Sequence, residues 1–190
     1  MVVPDKGLDR VFVFRLDAAT GKLVPGDQPF VKTRTGAGPR HLGFHPRLPF
    51  AWVINELDST IAAYRLALSG ALEPVQIVPS IPATFTGNNT GSGIVVSASG
   101  LFVFVSNRGH DSVATLRVDQ ASGMLTPVAW EQTGGAVPRF IGAGPTDSLL
   151  YAANQNGDTV VEFDIDGATG RLRRTGRSIS TGTPVCVVWR

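Results

Sequence analysis

One pattern occurs four times in this chain, and no other feature limits its folding so tightly. Asp5-Lys6-Gly7-Leu8-Asp9, Asn55-Glu56-Leu57-Asp58, Asn107-Arg108-Gly109-His110-Asp111 and Asn154-Gln155-Asn156-Gly157-Asp158 each lie between two apolar runs. A glycine stands twelve residues after Asp9, Asp58, Asp111 and Asp158, at Gly21, Gly70, Gly123 and Gly170. The units are therefore 49, 53 and 47 residues apart. A period near fifty residues, made of short strands and tight turns, marks the blades of a propeller, none of which buries its faces alone. The expected class is all-β: a β-propeller of about four blades with four antiparallel strands each, one domain over residues 1–190.

The second unit shows the strand grammar. Arg40 to Phe44 reads as an inner strand, Phe50 to Ile54 as a second and Thr60 to Leu66 as a third. Leu72 to Val78 follows the Ser69-Gly70 hairpin as a fourth. Runs such as Phe50-Ala51-Trp52-Val53-Ile54 and Leu101-Phe102-Val103-Phe104-Val105 are apolar throughout, which fits strands covered on both faces by neighbouring blades. The third unit follows with Gly93–Ser97, Leu101–Ser106, Ser112–Val118 and Leu125–Thr133. The fourth gives Arg139–Ala143, Leu149–Ala153, Thr159–Ile165 and Arg171–Ser178. The first unit has only Met1–Val3, Arg10–Leu16 and Lys22–Thr33, without an innermost strand. Thr183 to Trp189 reads as an innermost strand with no blade after it. Two topologies fit: the C-terminal part of a larger propeller, which is preferred, or a four-bladed ring closed by that last strand. An open arc would leave strand edges free to self-associate.

Net charge is only +2 in 190 residues, and no large basic cluster occurs, so neither nucleic acid nor a membrane surface is expected as partner. Arg171, Arg173 and Arg174 fall in an outer hairpin, where a solvated edge carries charge. No run of eighteen apolar residues is present. The first residues lack the basic start and apolar stretch of a secretory signal, so the cytoplasm is the default expectation. Cys186, the single cysteine, sits among valines and reads as a small buried hydrophobe.

Antiparallel pairing brings the start of strand one and the end of strand two of each blade to one rim. Asp5, Lys6, Arg40, His41, Asn55, Glu56, Asn107, Arg108, His110, Arg139, Asn154 and Gln155 should therefore ring one mouth of the central channel. The cationic excess there suits an anion, because guanidinium forks match phosphate and carboxylate oxygens. Glu56, among cations, should stay ionised and is a candidate general base toward water. Lys6, His41, Asn55, Asn107 and Arg139 are candidate binding residues. The repeated aspartates read as turn-formers that bond their own backbone. Asp5, Asn55, Asn107 and Asn154 also recur as a set and could simply cap the same turn. The next position holds Lys6, Glu56, Arg108 and Gln155 in turn, so the scaffold does not dictate it, and variation within a repeat points to function. His45, before Pro46 at the opposite rim, is expected to face solvent. No metal site is expected from the spacing of His, Asp and Glu, and no cofactor fingerprint occurs.

Gly36-Ala37-Gly38-Pro39-Arg40-His41-Leu42-Gly43-Phe44-His45-Pro46, Val53-Ile54-Asn55-Glu56-Leu57-Asp58-Ser59-Thr60, Val105-Ser106-Asn107-Arg108-Gly109-His110-Asp111-Ser112 and Val3-Pro4-Asp5-Lys6-Gly7-Leu8-Asp9-Arg10 together resemble the seven-bladed propeller lactonases. That family includes the bacterial 6-phosphogluconolactonases and the fungal carboxymuconate-cyclising enzymes. The resemblance covers essentially the whole chain and corresponds to the C-terminal part of a family member. It implies hydrolysis of a sugar lactone, most simply 6-phosphogluconolactone, without a cofactor. Glu56 would activate water, and Arg40 and Arg108 would hold the anion and the developing oxyanion. Two departures accompany it. The family's channel histidine would belong to the missing innermost strand of the first unit. An acidic-Ile-basic stretch expected in the third unit is Gly93-Ile94-Val95 here. The competing readings are a non-catalytic propeller that binds a small anion or a protein, and an inactive fragment.

Overall fold

A computed structural model describes residues 1–144, 146 and 148–189. Its strands form four antiparallel sheets, each ordered as in the chain. The first holds β1 (Val2–Asp5), β2 (Arg10–Asp17) and β3 (Lys22–Lys32). The second holds β4 (Pro39–Phe44), β5 (Phe50–Asn55), β6 (Thr60–Leu66) and β7 (Leu72–Pro79). The third holds β8 (Thr90–Val96), β9 (Phe102–Arg108), β10 (Ser112–Val118) and β11 (Leu125–Gln132). The fourth holds β12 (Pro138–Ala143), β13 (Leu149–Asn154), β14 (Thr159–Ile165) and β15 (Leu172–Ser180). Each sheet is one blade.

The core lies between blades, which is why the second strands are apolar on both faces. β5 is buried along its whole length. Trp52, Ile54 and Ile61 pack on Val103, Val105 and Leu116 of the next blade, and Phe102 and Phe104 pack on Leu150, Ala152 and Phe163 of the one after. Burying each such side chain contributes roughly 1.5–3 kcal/mol. The outer hairpins carry the same contact outward. Gly123 lies so close to the Phe50 ring that a Cβ there would sit 2.4 Å from it, and Gly170 meets Phe102 in the same way. Trp52 Nε1 donates to Gly123 O at 2.9 Å across that seam.

The structure moves the repeat by one residue in the second blade. Thr33, Ser80, Thr133 and Thr181 donate their backbone N–H to the carbonyls of Asp9, Ser59, Asp111 and Asp158. Those four residues also share a φ near +50°. Ser59, not Asp58, is thus the counterpart of the other aspartates. The outer hairpin explains the slip, because Gly70 bonds back three residues to Ala67 whereas Gly21, Gly123 and Gly170 bond back four.

Of the repeated aspartates only Asp111, accepting from Gly109 N–H at 3.1 Å, bonds the backbone of its own turn as expected; otherwise these carboxylates reach further along the chain. Asp9 accepts from the backbone N–H groups of Gly36 and Gly38, Asp111 from that of Val137 and Asp158 from that of Thr183. Each clasps the segment that enters the following blade. Asp58 instead takes Arg34 and Thr60.

Three further expectations are corrected. Residues 183–189 form no strand, since no second strand lies beside them to complete a ladder, and they do not join the first sheet, so no four-bladed ring closes. Cys186 is consequently exposed rather than buried. His45 is buried, at 6% exposure, because its Nδ1 accepts from the N–H groups of Arg47 and Leu48 and so organises its own turn.

Candidate active site

The innermost strands β4, β8 and β12 lie side by side, and small residues allow it. Gly91 packs against Asn55 O and the Ile54 side chain, and Gly93 against Ile141, with no room for a Cβ at either position. Each of these strands carries an extra residue near its start. Pro39 pairs with Asn55 and His41 with Ile54, which leaves Arg40 as the bulge. Pro138 pairs with Asn154 and Phe140 with Ala153, which leaves Arg139. The third blade has its irregularity between Gly91 and Ile94. A bulge re-aims a side chain that regular pleating would send elsewhere.

Arg40, Arg108 and Lys6 converge on one carboxylate. Lys6 Nζ donates to Glu56 Oε1 at 2.6 Å and Arg108 Nη2 lies 3.2 Å from the same oxygen, while Arg40 Nε lies 3.0 Å from Oε2. The side chains of Glu56, Arg40 and Arg108 are only 12–15% exposed, so this is not a solvated rim pair. β8 pins both arginines from behind. Arg40 Nη1 donates to Ser92 O at 2.8 Å and Arg108 Nη2 to Gly91 O at 3.2 Å. Ser92 Oγ in turn donates to Arg139 O at 2.7 Å. Guanidinium groups of the second and third blades are thereby both held by the third blade's backbone, geometry that favours pre-formed anion binding.

The electrostatics follow from that packing. Burial alone would raise the Glu56 carboxyl, but the Lys6 hydrogen bond and the Arg108 charge outweigh it and hold the group below its ordinary value. Glu56 is therefore ionised at neutral pH, as expected. Desolvation, followed by the neighbouring Arg40 charge, lowers the His41 imidazole. Its neutral form suits the contact it makes, with Arg40 Nη1 2.9 Å from Nδ1. Burial and the Arg108 charge also lower the proton affinity of Arg40, against the pull of Glu56.

Of the residues expected at the mouth, Lys6, Arg40, His41, Glu56, Arg108 and Arg139 come together. Asn55 and Asn107 do not serve it. Both are buried: the Asn55 amide donates across its own hairpin to Thr60 at 2.9 Å, whereas the Asn107 amide donates to Ser80 O of the preceding blade at 2.8 Å. Asn154 repeats the Asn55 bridge, to Thr159, so these two cap their own turns while Asn107 ties its turn to the second blade. His110 is structural as well, bonded to Ser112 and set edge-on against Phe85. Sequence reasoning missed the role of β8, whose strand begins at Thr90 rather than Gly93. The available signal was Thr90-Gly91-Ser92-Gly93, which puts Gly91-Ser92 where the flanking blades have Pro-Arg.

Antiparallel blades whose inner ends bring arginines and a lysine around one shielded carboxylate define a β-propeller with a charged rim cluster. The chain belongs to the family described as lactonase, 7-bladed β-propeller, which matches residues 1–189. It is 39% identical over 189 residues to the 6-phosphogluconolactonase of Bacillus subtilis (strain 168), an alignment covering 98% of this chain and 53% of that protein. It is 34% identical over 170 residues to the 6-phosphogluconolactonase of Pectobacterium carotovorum, covering 89% and 51%. Among solved structures it superposes on the periplasmic gluconolactonase of Pseudomonas aeruginosa with a TM-score of 0.89 at 35% identity, covering 96% of this chain and 51% of that one. The chain spans about half the length of these relatives.

Proposed function

We propose that this chain carries the arginine–glutamate centre of a lactone-hydrolysing site. The observation that carries the reading is the convergence of Arg40, Arg108 and Lys6 on Glu56 at a shielded mouth. Relatives named 6-phosphogluconolactonase make 6-phosphogluconolactone the first substrate to test.

Glu56 Oε1 is taken by Lys6 and Arg108, whereas among the described residues Oε2 accepts only from Arg40 and retains a lone pair for water. Water oriented there attacks the lactone carbonyl and passes its proton to the carboxylate. The carbonyl oxygen takes negative charge next to Arg40 and Arg108, which stabilise it. Collapse of the tetrahedral adduct breaks the ring C–O bond. The alkoxide recovers a proton, and the product is one hydroxy acid per water consumed.

A carboxylate held by three cations is a weak base, and that favours a second reading, anion binding without turnover. Hydrolysis of 6-phosphogluconolactone above its spontaneous background separates the two. Glu56→Gln is expected to lower the enzymatic rate about 10²- to 10⁴-fold, and Arg108→Ala about 10²- to 10³-fold. Rates unchanged in both variants would remove the catalytic assignment. Calorimetric binding of 6-phosphogluconate without turnover by the unaltered chain would establish the second reading.

A further inference from the structure

The Pro-Arg pair that opens β4 recurs at β12, and the two arginines differ in what neutralises them. Both are the bulged residue of an innermost strand. Both follow a residue of positive φ, Gly38 at 63° and Val137 at 58°, clasped by an aspartate of the preceding blade. The residue that would face each arginine is placed alike as well. Glu56 N–H donates to Gly38 O at 2.7 Å, and Gln155 N–H donates to Val137 O at 2.9 Å. Gln155 is thus the counterpart of Glu56. In the second blade the position supplies a carboxylate that takes the arginine. In the fourth it supplies a neutral amide.

Arg139 is left without a countercharge by this exchange. Among the described residues its guanidinium makes no hydrogen bond or ion pair, although its backbone carbonyl is held by Ser92 Oγ, whose own carbonyl holds Arg40. Its charge reaches the mouth, since it adds to the depression of both Arg40 and His41. The other three cations share Glu56 among them. A half-buried guanidinium with no partner costs free energy unless an anion completes it.

We propose that Arg139 is the specificity-determining residue that binds an anionic oxygen group on the substrate remote from the reacting ester, with the Gln155 amide as a second donor. The substrate class is then a lactone bearing a phosphate or a carboxylate, in preference to a neutral sugar lactone. This rests on the lactone-hydrolysis reading for the identity of the ligand, and on the bulge geometry for the site.

The test uses the full chain and two substitutions with opposite structural consequences. Arg139→Gln removes the cation. Gln155→Glu keeps it but supplies the carboxylate that the second blade has, so Arg139 is captured internally as Arg40 is by Glu56. Both variants are expected to raise KM for 6-phosphogluconolactone roughly 10- to 100-fold, the weight of a charge-assisted hydrogen bond. The rise in KM for glucono-δ-lactone should be at least about fivefold smaller than that for 6-phosphogluconolactone in both variants. Calorimetry with 6-phosphogluconate and with glucarate, which carries a second carboxylate instead, tells the two anion types apart. A weakened fold cannot mimic the result, because Gln155→Glu adds an ion pair and should leave the unfolding midpoint unchanged or raised. Equal losses on charged and neutral lactones, or unchanged binding of both acids, would overturn the assignment. Should the unaltered chain hydrolyse neither lactone, 6-phosphogluconate binding that both variants weaken still supports Arg139 as the anion site, whereas no binding by the unaltered chain overturns it.

Discussion

Glu56 and His41 sit within one cluster and respond to its field in a way that sets the pH dependence of the fold. The imidazoles of His41 and His110 are both held below the ordinary value of 6.5, in each case by desolvation before any charge effect. The folded chain therefore binds fewer protons than the unfolded chain just below pH 6.5. Stability is complete above that pH and is lost as pH falls through the depressed folded values. Glu56, lowered from 4.5, works in the same direction in a lower window. Thermal unfolding midpoints should thus decline from pH 7 to pH 5 and decline again below 4.5, and His41→Asn should flatten the upper step. A midpoint that rises between pH 7 and 5.5 would contradict this. At this scale the mouth was legible where it broke the repeat, because Lys6, Glu56, Arg108 and Gln155 occupy one position with four chemistries. Asn55 and Asn107 misled because a polar residue at a rim position looks the same whether it faces the channel or turns inward, Asn55 to its own hairpin and Asn107 to the preceding blade. Only the burial of the amide distinguishes the two.

Strand identity is carried by local pattern, and the ends of Thr60–Leu66, Ser112–Val118 and Thr159–Ile165 fall where β-branched runs meet their turns. What local pattern could not carry is anything decided by a partner across a gap. The valines at residues 185–188 have strand propensity but no neighbouring strand, and they remain irregular. The frame of the second blade was hidden because a hairpin one residue shorter places Asp58 where the other units suggest an anchor. The aspartate clasps can be tested as elements. Asp111 Oδ1 accepts from Gly109 N–H at 3.1 Å and from Val137 N–H at 2.9 Å, tying the third blade to the entrance of the fourth. Asp111→Ala strands both donors and should lower stability by about 1–3 kcal/mol in urea unfolding. Asp158 holds Thr183 N–H at 2.8 Å, which leads into a segment without a ladder. Asp158→Ala should lower stability by less than about 1 kcal/mol. Equal losses would mean that a clasp contributes the same whether or not a blade follows it.

Propeller blades are stable in company, and the arc formed by these four has two unmatched faces. At two of the three seams the outer-hairpin glycine of one blade presses on an aromatic ring of the other, Gly123 on Phe50 and Gly170 on Phe102, whereas Gly70 at the first seam has nothing within 4 Å. The first blade presents Gly21 with no atom within 4 Å of its Cβ position. The fourth presents a cleft of about 530 Å³ lined by Tyr151, Glu162, Arg177, Ile179 and Trp189. Ile179 there is 66% exposed, and Trp189 rests on Tyr151 with ring centroids 4.6 Å apart. β1 adds an inner edge that pairs with no strand among the described residues. The period of the sequence announced blades but not their number in the whole ring. That number depends on the angle between successive sheets, and it became visible through the seven-bladed family and relatives about twice as long. An open hairpin and a socket thus lie at opposite ends of the arc. A second copy can cover both, head to tail. Sedimentation velocity is expected to show association that grows with concentration, and Ile179→Lys, which places a charge in the socket, should suppress it. A single monomeric boundary across a hundredfold range of concentration would show that these faces are stable uncovered.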